Sequence, residues 1–184
     1  MIESNKIALA WEIAEQYHRN QEYGKSTDIE NRVPYIYHIG QVYIEASLSI
    51  IYETDVNKEL LLLSAIMHDL IEDTTVDINM LEMEFGVNLL RSIMALTKDE
   101  SLAKSDQMND SLQRILLCTK ETAMVKICDR ISNLSRRPPS HWTKEGIIEY
   151  AEEAEVINNT LGSSSKYLSN RLTEKIREYR IRFS

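Results

Sequence analysis

Apolar residues recur at helical spacing along almost the whole chain. Ile7, Trp11, Ala14 and Tyr17 predict a first helix from about Ser4, its expected cap, to Glu22, with Gly24 as the stop. The polar, aperiodic stretch GKSTDIENRVP over 24–34 predicts a surface loop. Ile39, Val42, Tyr43, Ala46 and Ile50 form one stripe, predicting a second helix from Tyr35 to about Tyr52. From Val56 to Ile71 (VNKELLLLSAIMHDLI) most of the circumference is apolar, as expected of a central, buried helix. Shorter helices are expected from Asp77 to Phe85, Val87 to Leu96 and about Asn109 to Thr119, with the polar TKDESLAKSDQ read as a mobile loop. In ETAMVKICDRISNL, Val125, Cys128 and Ile131 share an inward face before Arg136-Arg137-Pro138-Pro139 stops the helix. A helix from Thr143 to Gly162 follows, then one over Ser163 to Arg180 that turns Tyr167, Leu168, Leu172, Ile176 and Tyr179 inward.

No repeat or long linker interrupts this pattern, so residues 1–184 read as a single all-α domain of about eight to ten helices. Composition strengthens that reading. The chain has 5 Gly and 3 Pro, where average usage would give roughly 22 of the two together. Sandwiches, barrels and Gly-rich phosphate loops need more turn residues than this. No apolar run approaches the ~18 residues of a membrane span, and the start MIESNKIALAWEIAEQ lacks a basic-then-apolar leader, so a cytoplasmic protein without a membrane partner is expected. A net charge of −8 opposes nucleic-acid binding. An anionic ligand would need a metal or a local basic cluster to reverse the field. Cys118 and Cys128 match no metal or redox spacing and read as reduced core thiols.

The informative chemistry is His68-Asp69-Leu70-Ile71-Glu72-Asp73. At about 100° per residue, His68 sits below Glu72 and Asp69 below Asp73, so all four share one edge of the helix. Burying three carboxylates without partners costs several kcal/mol each, an objection that a bound cation removes. Acids at a helix C-terminus also oppose its dipole, so local stability does not account for them. His38, soon after Pro34-Tyr35, and Asp129, bordering the inward face of its helix, are two further apolar-flanked ligand candidates. With His68 and Asp69 they make an N₂O₂ set with open positions, suited to Mn²⁺ or another octahedral divalent ion better than to a closed structural zinc site.

These residues also carry a family resemblance. An H-D at the end of an apolar helix, with an earlier His and a later Asp, resembles the HD-domain metal phosphohydrolases. His18 to Gln21 fits H-x-x-Q, Pro34 to His38 fits P-Y-I-x-H, His68 to Thr74 fits H-D-x-x-E-D-T, and Lys126 to Asn133 fits the last signature. That order resembles the alarmone hydrolase domain of RelA/SpoT proteins and, by size, the single-domain small alarmone hydrolases of the metazoan SpoT-homologue kind. The resemblance implies an HD-domain helical bundle around a metal site and Mn²⁺-dependent removal of pyrophosphate from the 3′ position of guanosine tetra- or pentaphosphate in the stringent response. It implies that His38, His68, Asp69 and Asp129 hold the metal, that Glu72 and Asp73 orient and deprotonate the attacking water, and that Asn133 and Tyr150 contact the nucleotide. His18 reads as a structural, hydrogen-bonded histidine, and His141 has no assigned role.

The chain departs from the family pattern at two places. The basic pair expected after H-x-x-Q is Tyr23-Gly24 here, and a basic residue expected shortly before Tyr150 is Gly146. Lys25 and Lys104, with Lys98, are the candidates to replace them as substrate contacts. Two rival functions remain: another HD phosphohydrolase acting on (p)ppApp, NADPH or a nucleoside monophosphate, and a non-catalytic HD-fold nucleotide-binding protein. Oligomeric state is left open.

Overall fold

The computed structural model describes residues 2–23 and 32–183. The expected all-α class holds: among the described residues ten α-helices run from α1 (Ser4–His18) to α10 (Lys166–Phe183), and the described strands are two residues each. Glu3, not Ser4, occupies the cap of α1. The helix also ends four residues earlier than its periodicity suggests, because Glu22–Tyr23 (β1) pairs antiparallel with Val33–Pro34 (β2). This small ladder ties the approach to α2 (Ile36–Ser49) against the exit of α1.

The segment expected to be one central helix is two. α3 covers Lys58–Met67 and α4 only Leu70–Asp73. The Asn57 side chain caps α3 by accepting from the Leu60 N–H at 3.1 Å. At the other end the His68 ring reaches back to the Ala65 carbonyl, and Asp69 takes φ −103°, ψ −1°, so the chain turns there. Both are local competition of side chain with backbone, which apolar periodicity does not register.

α5 (Ile78–Phe85) and α6 (Val87–Leu96) meet at Gly86, whose φ of +86° is costly for any residue with a Cβ. α7 (Lys104–Leu116) begins about five residues before the expected start, so part of the stretch read as a loop is helix. Its first residues, Lys104, Ser105 and Asp106, are polar and exposed, and the buried Ser111, Leu112 and Ile115 come only later. α8 (Lys120–Leu134) and α9 (Lys144–Leu161) follow, and a 3₁₀ turn over Gly162–Ser164 leads into α10.

Two apolar clusters share α2 and α3. One gathers Leu61, Met124, Ile127, Cys128, Ile131, Leu172 and Tyr179. The other gathers Ile13, Ile39, Ile66, Met67, Leu70, Leu81 and Ile93. Each such side chain contributes about 1.5–3 kcal/mol when fully buried. Every residue of α3 from Leu60 to Met67 is buried, as are thirteen of the fifteen in α8. The start of α2, the end of α3 and the second half of α8 therefore converge in the interior, and each brings one candidate ligand there. Cys118 and Cys128 are free thiols. Among the described residues, no helix is long and apolar enough to cross a membrane.

Candidate metal centre and active site

His38 enters on the first turn of α2, His68 and Asp69 at the break after α3, and Asp129 in the second half of α8. His38 Nε2 is the hub. It lies 3.2 Å from His68 Nε2, 3.4 Å from Asp69 Oδ2 and 3.4 Å from Asp129 Oδ1, and His68 Nε2 is 2.8 Å from Asp69 Oδ2. One ligand atom from each of His38, His68 and Asp69 falls within 4.8 Å of the others. Asp129 joins on the His38 side.

The hydrogen-bond pattern tests whether a cation fits. His68 Nδ1 faces the Ala65 carbonyl oxygen at 3.0 Å, and a carbonyl only accepts, so that nitrogen carries the hydrogen. His38 Nδ1 lies 3.0 Å from Ser132 Oγ, whose own hydrogen goes to Gln41 Oε1, so His38 Nδ1 donates as well. In the neutral rings both Nε2 lone pairs then face each other across 3.2 Å, with carboxylate oxygens alongside. Four electron-rich atoms so arranged repel one another unless a positive charge joins them. Burial opposes charge on His38, yet Asp129 and Asp69 raise its pKa to about 9. Burial alone would raise the Asp69 carboxyl, but His68 and His38 hold it well below the usual carboxylate range. Lys126 and His38 likewise lower Asp129 against the effect of burial. Two imidazole nitrogens and two carboxylates, with outer-shell bonds already orienting the rings, are a donor set for a divalent metal.

The Glu72–Asp73 pair is split. The Tyr35 hydroxyl lies 2.7 Å from Asp69 Oδ2 and 2.8 Å from Asp73 Oδ2. It has one hydrogen to give, so one of the two contacts lacks a hydrogen until Asp73 takes up a proton. Burial and the neighbouring Asp69 both raise the Asp73 pKa, in agreement. Glu72 turns elsewhere, accepting from the Lys98 backbone N–H and the Lys98 ammonium, each at 3.0 Å. The stacking of Asp69 on Asp73 thus holds as expected, while Glu72 is engaged by the loop after α6.

The H-x-x-Q motif has a mechanical purpose. The Gln21 side-chain amide donates to the Asp73 carbonyl at 2.7 Å, which makes its oxygen the acceptor for His18 Nδ1 at 2.6 Å. The Gln21 carbonyl accepts from the Tyr35 N–H. His18 is buried and stacks on Tyr35 with ring centroids 4.7 Å apart, the structural place expected for it.

Beside the cluster lies an open cleft of about 680 Å³ whose lining includes Lys98, Lys104, Lys126, Asn133, Gly146 and Tyr150. Lys104, Asn133 and Tyr150 therefore all face the same space. Both ends of the Asn133 carboxamide are already engaged: Nδ2 donates to Asp129 Oδ1 at 2.6 Å and Oδ1 accepts from the Tyr23 hydroxyl at 2.6 Å. The Tyr150 ring lies under the Arg130 guanidinium at 4.1 Å and edge-on to Trp142 at 5.0 Å. Lys25 lies outside the described residues.

Two site residues escaped the sequence reading. Tyr35 was visible only as the motif letter before Ile36. In the sequence Tyr23 stands out only as the absence of a basic residue, yet its ring stacks on His38 at 4.4 Å. The available signal is an aromatic residue on each side of the 24–34 stretch that precedes His38.

No family model matches the chain. Guanosine-3′,5′-bis(diphosphate) 3′-pyrophosphohydrolase MESH1 of Danio rerio is 27% identical over 88% of this chain and 87% of its own length. The protein of the same name from Homo sapiens is 26% identical over 92% of each chain. A solved structure of a metazoan ortholog of SpoT, which hydrolyzes ppGpp and plays a role in starvation responses, superposes with a TM-score of 0.82 at 25% identity over 97% of both chains. The resemblance carried by the motifs extends over nearly the whole chain. A crystal structure from Listeria monocytogenes EGD-e, 15% identical with a TM-score of 0.62 over 79% of this chain and 97% of that one, shares the fold.

Proposed function

We propose that this chain is a metal-dependent guanosine-3′,5′-bis(diphosphate) 3′-pyrophosphohydrolase, a small alarmone hydrolase of the stringent response that works in the cytoplasm as one domain over residues 1–184. The observation that carries the reading is the electron-rich His38–His68–Asp69 cluster, adjoining a carboxyl biased toward protonation and a lysine-lined cleft. Its likeness in sequence and fold to proteins of that activity supports the substrate class. A small phosphate-rich nucleotide suits the cleft, while the net charge of −8 disfavours nucleic acid as a partner.

His38, His68, Asp69 and Asp129 are the residues to hold the metal, and Mn²⁺ is the proposed ion. Bound there, a divalent cation lowers the pKa of water and screens phosphate charge. Of the chain's own carboxyl pair, Asp73 handles the proton. Water's oxygen bonds to the phosphorus on the 3′ oxygen, its proton passes to Asp73, and the P–O3′ bond breaks. The leaving 3′ oxygen then takes up that proton, leaving the guanosine 5′-phosphates and free pyrophosphate. Tyr35 keeps Asp73 aligned with Asp69, while Asn133 and Tyr150 line the nucleotide side.

The test incubates purified protein and Mn²⁺ with guanine and adenine 3′-pyrophosphates, NADPH and nucleoside monophosphates, and separates the products by chromatography. Pyrophosphate release from the guanine substrates, lost in Asp73→Asn, is the expected result. Turnover of monophosphates or NADPH alone would transfer the chain to another HD phosphohydrolase activity. No turnover with any divalent metal would leave a nucleotide-binding protein.

A further inference from the structure

Glu72 and Asp73 are adjacent in sequence, but their surroundings differ in kind. Both oxygens of Glu72 are engaged by one residue: Oε2 by the Lys98 backbone N–H and Oε1 by Lys98 Nζ, each at 3.0 Å. A carboxylate held in this two-point grip has each oxygen turned toward an ammonium or an amide of the loop rather than toward the metal ligands. It is a good anchor instead. Lys98 is the second residue after α6, at the head of the 97–103 connection to α7. The Arg114 guanidinium holds the same turn through the Thr97 carbonyl at 2.8 Å. So fixed, the Lys98 side chain is 40% exposed and lines the cleft with Lys104 and Lys126. Lys126 is committed to Asp129 at 3.2 Å. Among the described residues Asp73 meets no cation in this way, and it shares the Tyr35 hydroxyl with Asp69.

We propose that Glu72 and Lys98 act as one unit, in which Glu72 is a positioning residue holding the Lys98 ammonium at the cleft to receive substrate phosphate oxygens, and that Asp73 alone carries the acid–base work. This division of labour rests on the hydrolase reading above. A substrate bearing two diphosphate groups brings several negative charges to an acidic protein, and a fixed ammonium beside the metal ligands meets them at low entropic cost. Once phosphate shares the ammonium, Glu72 still retains the backbone N–H, so the loop stays in place.

The experiment compares wild type with Glu72→Gln, Lys98→Met, Lys98→Arg, Asp73→Asn and the Glu72→Gln/Lys98→Met double variant. It measures steady-state kinetics with Mn²⁺ and the affinity of the Mn²⁺-loaded protein for inorganic pyrophosphate by calorimetry. Glu72→Gln and Lys98→Met should each raise KM about tenfold, with kcat within about threefold of wild type. The double variant should be no worse than the poorer single one, and Lys98→Arg should recover most of the loss. Asp73→Asn should instead lower kcat by about 100-fold or more at nearly constant KM. Pyrophosphate affinity should fall equally in Glu72→Gln and Lys98→Met. A collapse of kcat at constant KM in Glu72→Gln, additive losses in the double variant, or pyrophosphate affinity that responds to Lys98 but not to Glu72 would overturn the proposal. An inactive wild type would remove the hydrolase reading, and the calorimetry would still decide whether Glu72 and Lys98 form one unit.

Discussion

Helices α8 and α10 look alike as strings of letters. KETAMVKICDRISNL and KYLSNRLTEKIREYRIRF both mix aliphatic residues with charges of both signs. In α10 no charged residue is fully buried: Lys175 pairs with Glu178 at 2.9 Å, Arg180 reaches Glu155 at 2.7 Å, and the buried residues are Leu168, Leu172, Ile176 and Tyr179. In α8 the charges go inside with everything else. Glu121 accepts from the Asn57 N–H at 2.6 Å, Lys126 meets Asp129, and Arg130 lies over the Tyr150 ring. An unpaired buried charge costs several kcal/mol, so Glu121 and Arg130 depend on partners supplied by other elements, and Lys126 on Asp129 one turn along the same helix. Buried polarity of that kind marks the helix that carries chemistry, and exposed polarity the helix that only closes the core.

The sharpest attack on this contrast is Asp129→Ala. It should lower Mn²⁺-dependent turnover by more than about 10³-fold, about 4 kcal/mol of transition-state stabilisation, and also abolish the melting-temperature rise on Mn²⁺ addition. Retention of that rise would show the ion is held without α8. Next is Ile127→Ala, which opens a cavity in the apolar cluster around α8 and should cost about 2–5 kcal/mol in urea unfolding. A loss as small as that of a surface variant would mean that α8 is not packed as described. For the unmodified protein, Mn²⁺ at about 100 times its Kd should stabilise the fold by about 2.7 kcal/mol, reversed by chelation. Arg130→Met keeps an aliphatic stem but loses the contact with Tyr150, and about 1–2 kcal/mol of stability is expected to go with it. Smallest of all is Arg180→Ala in α10, where removing an exposed ion pair should change unfolding free energy by less than about 1 kcal/mol. Equal effects at Arg130 and Arg180 would erase the distinction between the two helices.

How far the site could be read in the sequence follows from the same contrast. His68 and Asp69 stood out because they end a run of apolar residues, and His38 and Asp129 because each has apolar neighbours at helical spacing. Such signals lie within one or two turns of the residue concerned. The break between α3 and α4 was missed because it depends on one ring reaching back to the Ala65 carbonyl. The early start of α7 was missed because an exposed polar turn has no apolar period. Tyr35 escaped notice because its importance comes from two carboxylates 34 and 38 residues away. Tyr23 escaped for a similar reason, its partner Asn133 lying 110 residues further on.

The sequence by itself therefore determined the helical class, the main apolar faces and the four candidate ligands, since periodicity and motif spacing are properties of short windows. Only the tertiary structure decided which charges are buried, that Asn133 is engaged at both ends, and that neighbouring Glu72 and Asp73 face different partners. The reason is physical. A side chain's ionisation and hydrogen bonding are set by whatever packs against it, and here those groups arrive from helices far apart along the chain.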